Sequence, residues 1–258
     1  MHRFRSWVVL LAIMAASLLA VAPAIAQEAT PGVAVDGITV LEPDETYAGV
    51  SRGEWDARSW QSAVSFPEAI NPNFDSTGER CGYGQFGPVF IVPAAFTPEP
   101  FDRTCVVAEG TALFIALGGS ECSTVEPPPF FGRNEAELRA CAAAFTDTLT
   151  VVEVSINGQE VPNIEAYRTG SPLFTMTFPE DNFFGVPAGV ALSVADSYSI
   201  IIAPPPPGEY EITVSTAFEE EGELIEFGGT TRVIVEAPQV IEPEATPAGG
   251  TPVATPAT

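Results

Sequence analysis

The chain has 258 residues, and its 34 Asp and Glu against 10 Lys and Arg give a formal net charge of −24 at pH 7. A surface this acidic repels phosphate backbones, so the composition excludes nucleic acid and leaves an extracellular polymer or another protein as the partner. The chain has one His, His2. Since no His follows residue 2, the rest of the chain cannot form a Ser-His-Asp triad or a zinc site with several histidines.

Residues 1–26 have the pattern of a secretory signal peptide. The basic stretch "MHRFR" precedes an apolar run from Trp7 to Ala22, and "AIA" at 24–26 is a small-residue cleavage site. We expect cleavage after Ala26, which leaves 8 Arg against 34 acidic residues, a formal charge of −26. No Cys follows the site directly to carry a lipid. We therefore expect a protein without a membrane anchor, either extracellular or associated with the cell envelope.

Two short helices are predicted within residues 27–236, which we expect to form one folded domain. The first lies in "SRGEWDARSWQSAVSF", where Ser51 and Glu54 have the spacing of a capping box. The second lies in "NEAELRACAAAF", where Asn134 and Glu137 have the same spacing. Both segments place apolar residues broadly on one side, as helices that pack on a core do.

Short apolar stretches with a period of two make up most of the rest of the domain. In "LTVVEVSINGQEV" the pair Asn157-Gly158 tolerates positive φ and predicts a hairpin. Other stretches of strand length are "PVFIV" (88–92), "RTCVVA" (103–108), "TALFIAL" (111–117), "LFTMTF" (173–178), "SYSIII" (197–202), "YEITVST" (210–216) and "TRVIVE" (231–236). Many strands with two helices predict an all-β fold, a β-sandwich of immunoglobulin-like or jelly-roll type decorated by two short helices.

The segment "PPPPGEYEITVSTAF" resembles the corner and penultimate strand of immunoglobulin-like domains. In those domains a Tyr at the corner bonds back to the main chain, and Tyr210 occupies that position here. A jelly roll with a similar number of strands is the alternative.

The C-terminal segment, residues 237–258, is rich in Thr, Pro and Ala and has no aromatic residue. Such a segment cannot bury enough apolar surface to offset its loss of conformational entropy. We expect a disordered tail.

Four cysteines follow the signal peptide, and export to an oxidising compartment predicts disulfides. Of the three connectivities we expect Cys81–Cys105 with Cys122–Cys141, because each pairing closes a compact Pro-rich or Gly-rich segment. A four-thiolate metal site is the alternative, but its usual CxxC spacing is absent.

The stretch "NPNFDSTGE" at 71–79 has oxygen-bearing side chains on alternate residues, as a calcium loop has. Asn71, Asn73 and Asp75 match the first three ligand positions of an EF-hand, but Ser76 replaces the Gly of the sharp turn and Gly82 stands where a bidentate Glu is needed. We therefore expect an Asx-turn loop, no bound metal and no cofactor, and keep these three residues as weak metal candidates.

A polar turn, "FPEDNFFG" at 178–185, is the candidate ligand site. Asp181 and Asn182 with Arg168 form a potential binding pocket, and Glu180 with Asp181 are the carboxylates of a glycan hydrolase, if there is one. Two adjacent carboxylates diverge, so a second catalytic group would come from elsewhere, such as Glu121 or Asp196.

The tryptophans of the first predicted helix are the candidate sugar-stacking residues. Trp55 and Trp60 lie five positions apart, and the alternative for both is packing in the core.

Segments of the chain resemble a family of secreted bacterial proteins of unassigned function. They are "WDARSWQSAVSFP", "NPNFDSTGERCGYGQFGPV", "EAELRAC", "YRTGSPLFTMTFPEDNFFGVPAG" and "PPPPGEYEI", within residues 52–216. The resemblance implies export and supplies no catalytic residue.

Catalysis is not expected, because the visible carboxylates lie in turn-like segments where solvent would keep each pKa near its ordinary value. We therefore expect an exported, acidic, disulfide-linked β-sandwich that acts as a non-catalytic binding or envelope-associated module. A carboxylate-dependent hydrolase acting on glycans is the alternative.

Overall fold

The computed structural model describes residues 32–238, so the expected signal peptide and nearly all of the expected tail lie outside the described residues. Two α-helices are present, α1 (Arg52–Val64) and α2 (Glu135–Thr146). The strands are β1 (Gly32–Val35), β2 (Ile38–Leu41), β3 (Val89–Val92), β4 (Phe101–Ala108), β5 (Ala112–Ser123), β6 (Leu149–Ile156), β7 (Gln159–Glu160), β8 (Arg168–Gly170), β9 (Phe174–Phe178), β10 (Gly189–Ile202), β11 (Gly208–Glu220) and β12 (Glu223–Glu236).

The helices begin where their capping residues predict. The Ser51 hydroxyl accepts a hydrogen bond from the Glu54 N–H, and the Glu54 carboxylate accepts one from the Ser51 N–H at 2.9 Å. The Asn134 side chain accepts from the Glu137 N–H at 3.1 Å. These bonds satisfy backbone donors that a helix start leaves free. Within residues 32–238, neither helix has the length and apolar character that a membrane crossing requires.

The strands form two sheets, and each contains one parallel pair. The first sheet has the order β1-β2-β10-β5-β3, and β8 and β9 also pair with β10. The second has the order β4-β12-β11-β6-β7. The parallel pairs are β3 with β5 and β4 with β12. Immunoglobulin-like and jelly-roll sheets are antiparallel, so the two parallel pairs differ from both fold types. Both descriptions therefore stay predictions.

The main hydrophobic core lies between the two sheets. The first sheet contributes Val40, Leu113, Ile115, Ile200 and Ile202, and the second contributes Val107, Val154, Ile156, Ile212, Val233 and Val235. All of these side chains are buried. Two sheets that share one core confirm the predicted β-sandwich with two short helices.

Two local features match their sequence signals. Asn157 (φ 51°) and Gly158 (φ 77°) form the turn between β6 and β7, as an Asn-Gly pair predicts. The Tyr210 hydroxyl donates to the Pro206 carbonyl at 2.8 Å, which is the return contact expected of a tyrosine at this corner.

The disulfides are Cys81–Cys105 and Cys122–Cys141, with Cα atoms 5.5 and 6.1 Å apart. This pairing confirms the connectivity predicted from the two compact segments. The first bond holds the loop before β3 to β4, and the second holds the end of β5 to α2.

Strand β5 is longer than the sequence predicts: it continues through Gly118-Gly119 to Ser123. Interior glycines usually weaken a strand, so the sequence prediction ends at Leu117. The pairing with β10 shifts register between Tyr198 and Ser199. Gly119 has φ +152°, and a Cβ there would lie 2.5 Å from the Asp196 carbonyl oxygen.

Gly119→Ala should therefore destabilise the protein by about 2 to 4 kcal/mol, since it adds backbone strain and a steric clash. Gly82→Ala is the matched control, because a Cβ at Gly82 has no atom within 4 Å. Urea denaturation measures both free energies of unfolding. Equal values for the two variants would contradict the role given to Gly119.

Candidate functional site

A cavity of about 480 Å³ is lined by α1, both sheets and the segment that follows β3. Its volume lies within the range of about 300 to 1,000 Å³ that is common for small-molecule sites. Most of its lining is apolar and aromatic, and a few polar side chains interrupt it. This is the composition that ligand pockets usually have.

One face of α1 forms a wall of the cavity. Asp56, Ser59, Trp60 and Ala63 all line it. Their spacing is i, i+3, i+4 and i+7, which places them in one row along a helix. The wall therefore contains a carboxyl group one turn before an indole ring.

A first aromatic group on the cavity consists of Trp60, Phe96, Phe183 and Phe184. The rings of Trp60 and Phe96 stack with centroids 5.8 Å apart, and Phe96 and Phe183 are 4.9 Å apart. Phe183 and Phe184 follow β9, so residues far apart in sequence meet on this wall.

A second aromatic group consists of Phe130, Phe145, Phe218 and Phe227. Phe145 of α2 lies 5.4 Å from Phe218 of β11, which stacks on Phe227 of β12 at 6.0 Å. Phe130 packs against Phe145 at 5.6 Å. This group connects α2 to the second sheet along the cavity.

Asp56 is a buried carboxyl group on the cavity. It is 1% exposed, and neither of its oxygens has a hydrogen-bond partner among the described residues. Burial raises its pKa from 3.8 to about 7, and the nearby Asp196 carboxylate adds to the rise. The Ser197 hydroxyl, which is near Asp56 but outside hydrogen-bond geometry, and the charge of Arg52 lower the pKa without cancelling the rise. The buried charge is costly because it has lost water and gained no full replacement.

Glu121 and Glu126 are two further buried carboxyl residues on the cavity, and together we call them the glutamate pair. They are 2% and 5% exposed. Burial raises the pKa of Glu121, and the hydrogen bond and charge of Glu126 raise it further. Burial also raises the pKa of Glu126, and hydrogen bonding to Glu121 and to Ser123 partly offsets this rise. The Ser193 hydroxyl donates to Glu121 Oε2 at 2.5 Å. Burial and the repulsion between the two carboxylates therefore favour a proton on the pair over ionisation of both carboxyls.

All the ionisable side chains on the cavity are acidic. Glu220 of β11 is the fourth, beside Asp56 and the glutamate pair, and no Lys, Arg or His within residues 32–238 lines the cavity. The electrostatic potential inside is therefore negative, and it is screened less than at the open surface.

The predicted turn at 178–185 does not bring its carboxylates to the cavity. Glu180 and Asp181 are exposed, and neither is among the lining residues. The buried Asn182 amide donates to the Pro179 and Val186 carbonyls, each at 2.8 Å, so it holds the turn closed. The part of this segment that does reach the cavity is its pair of phenylalanines.

Arg168 connects α2 to β10. Its guanidinium bonds Asp196 at 2.6 Å, Asp147 at 2.7 Å and the Ala143 carbonyl at 3.2 Å. These contacts use its donors in a structural link, and Arg168 does not line the cavity.

The two tryptophans of α1 have different surroundings. Trp55 is buried with Phe114 and Ile201, and its indole N–H donates to the Tyr47 carbonyl at 3.2 Å. Only Trp60 lines the cavity. Trp55 therefore packs in a core, and Trp60 is the one available to a ligand.

The polar loop at 71–79 uses its side-chain oxygens on the backbone. Asn71 Oδ1 accepts from the Asn73 N–H at 3.0 Å, and Asn73 Oδ1 accepts from the Ala94 N–H at 2.7 Å. Asp75 accepts from the Thr77 N–H at 3.0 Å and the Arg80 N–H at 2.7 Å. These are the contacts of an Asx-turn loop. In residues 32–238 no three His, Cys, Asp or Glu side chains are grouped to hold a metal ion.

The expectation that the carboxylates stay in solvent is wrong for Asp56, Glu121 and Glu126. The sequence contained a signal for Asp56, a carboxylate four residues before Trp60 on an apolar helix face. It contained none for Glu126, which lies in the Pro-rich segment after β5. The sequence indicates Glu121 only as a possible second carboxylate for the turn at 178–185, because the predicted strand ends before it.

No family model, curated protein or solved structure matches this chain. The function is therefore argued from the geometry of the cavity.

The buried Asp56 should make the protein less stable as pH rises from about 5 to about 7. Between its unfolded pKa of 3.8 and its folded pKa of about 7, the folded state binds more protons than the unfolded chain. Asp56 should contribute a fall of about 2 kcal/mol in the free energy of unfolding over this range. Asp56→Asn should remove that contribution and leave the fall in the same direction that the raised pKa values of Glu121 and Glu126 add.

Urea denaturation across this pH range measures the effect. Glu180→Gln removes an exposed carboxylate and is the control, for which we expect the same pH dependence as for the unsubstituted protein. An unchanged slope in Asp56→Asn would show that this group does not carry the effect.

Proposed function

We propose that the protein is an exported binding module that holds a small, mainly apolar molecule in its cavity. The observation that carries this proposal is a cavity of about 480 Å³ walled by two aromatic groups and containing three buried carboxyl groups. Aromatic walls with a few placed polar groups are typical of sites for small molecules. The two disulfides support an oxidising compartment outside the cytoplasm or at the envelope.

The small side chains on the cavity support a ligand rather than incomplete packing. Ala94, Ala95 and Ala116 line it, and longer apolar side chains at these positions would occupy part of the space. An empty apolar cavity costs about 24 cal/mol per Å³, so a fold with no use for this space would gain from filling it. A ligand that fills it recovers this free energy on binding.

Filling the cavity should weaken binding of an apolar probe. Ala95→Phe adds a ring at a lining position, and we expect it to reduce the affinity for the neutral dye N-phenylnaphthylamine by about tenfold or more. Fluorescence titration measures the affinity. Ala188→Phe adds the same ring at an exposed position and is the control. Equal affinities of the two folded variants would contradict the proposal.

The glutamate pair favours a second candidate function, carboxylate-dependent hydrolysis. One ionised carboxyl of the pair would take a proton from water, the water oxygen would attack the substrate, and the other, protonated carboxyl would give its proton to the leaving oxygen. Carboxyl groups that share a proton act in this way in aspartic proteases. Glycosidase carboxyls are separated by about 5 Å or more, so this pair, whose carboxyls interact directly, fits acyl compounds better than glycans.

Binding is favoured over hydrolysis because the cavity lacks cationic donors for a developing oxyanion. The groups that stabilise such charge usually supply the largest catalytic effect, and here the lining ionisable side chains of the described chain are all acidic. The negative charge of the glutamate pair would also raise the energy of an anionic transition state.

We therefore expect no turnover of ester, peptide and glycan panels between about pH 4 and pH 7, measured by product release. Hydrolysis that is lost in both Glu121→Gln and Glu126→Gln, but kept in the exposed control Glu180→Gln, would establish the second function instead. The melting transition of each variant shows whether the fold is retained.

A further inference from the structure

Asp56 is the polar group on the cavity that most needs a partner. Both of its oxygens are buried without a hydrogen bond in the described chain, whereas in the glutamate pair only one oxygen of each carboxyl, Glu121 Oε1 and Glu126 Oε2, is buried without one. An unpaired buried carboxylate is unfavourable unless it is protonated or meets a cation. The structure provides no such cation on the cavity wall.

The chemistry of the cavity discriminates among charged ligands. An anion would meet Asp56, Glu220 and the glutamate pair without a basic residue to balance them. A neutral ligand would leave the Asp56 carboxylate unpaired. A cation would relieve its desolvation cost, since a charge-assisted hydrogen bond replaces the lost water.

We propose that the cavity binds an organic cation, an apolar amine or ammonium compound whose positive nitrogen lies at Asp56 and whose body lies on the first aromatic group. This inference rests on the proposed binding function and defines the class of ligand.

The arrangement along α1 fits this ligand. Trp60 follows Asp56 by one helical turn on the same face, and Phe96 stacks on Trp60 at 5.8 Å. The indole face attracts a cation and its substituents as well as apolar carbon. Ser59 lies beside them on the wall and offers a hydroxyl to an ammonium hydrogen.

Binding of the cation is coupled to the loss of a proton. The charged groups that face Asp56 are Arg52 on its own helix and Asp196 on β10, and the Ser197 hydroxyl also faces it. Glu220 and the glutamate pair complete the charged lining of the cavity. Because Asp56 holds a proton more readily than a solvated Asp, a bound cation displaces it. Affinity should therefore increase from about pH 5.5 to about pH 8.

Three probes with one naphthyl body test the proposal by calorimetry: naphthylethylammonium, naphthylethanol and naphthylacetate. We expect the cation to bind at least about tenfold more tightly than the alcohol, and the anion not to bind. Asp56→Asn should weaken the cation by about 10- to 100-fold and leave the alcohol unchanged. Glu180→Gln, at an exposed carboxylate, should bind all three as the unsubstituted protein does.

A second measurement does not depend on any variant. Titration of the unsubstituted protein with the cation in buffers of different ionisation enthalpy counts released protons, and we expect release near pH 6 that disappears near pH 8.5.

The outcomes separate this inference from the proposed function. Equal affinity for cation and alcohol, sensitive to Ala95→Phe, would overturn the cation and keep the binding module. No binding of any probe, including the neutral dye, would overturn both. Cation binding that survives Asp56→Asn but is lost in Glu126→Gln would overturn Asp56 as the anchor.

Discussion

The antiparallel pairing of β5 with β10 is the constraint on which the fold and the cavity both depend. Strand β10 also pairs with β2, β8 and β9, so most of the first sheet is assembled on it. Its Ile200 and Ile202 enter the core between the sheets, while Ser193 bonds Glu121 and Ser197 faces Asp56. The register shift, which lies at Leu117 next to Gly118-Gly119, occurs between these two regions. One end of β10 therefore packs in the core between the sheets, and the other end contacts the buried carboxyl groups of the cavity.

Burial of three carboxyl groups is unfavourable for stability, and the rest of the molecule compensates for it. The two disulfides close loops near the cavity, with sequence separations of 24 and 19, and each is worth about 3 kcal/mol in the chain-entropy model. The second disulfide attaches α2 next to Glu121, and Arg168 joins the same helix to β10. These links hold the walls in place without filling the space between them.

The local and periodic features were predictable from the sequence, and the buried polar site was not. Capping boxes, the Asn157-Gly158 turn and the disulfide pairing depend on neighbours in sequence or on short closed segments, which a sequence displays. The depth of Glu121 depends on β5 continuing through two glycines, and that follows from the backbone of β10 opposite Gly119. The burial of Glu126 depends on a Pro-rich segment folding back onto β5. No hydrophobic pattern in the sequence predicts this contact.

The distribution of charge indicates whether a buried carboxyl group stabilises the fold or serves a ligand. Arg168 and Asp196 show how this fold treats a structural carboxylate, because there a guanidinium meets the acid at 2.6 Å. Asp56 lies close enough to Asp196 for their charges to interact, yet Arg52 acts on it only at a distance, and within residues 32–238 it forms no salt bridge and lines the cavity instead. Asp196 is fully paired, whereas Asp56 lies without a salt bridge among the described residues and beside aromatic rings. This is the arrangement of a site that a ligand cation completes.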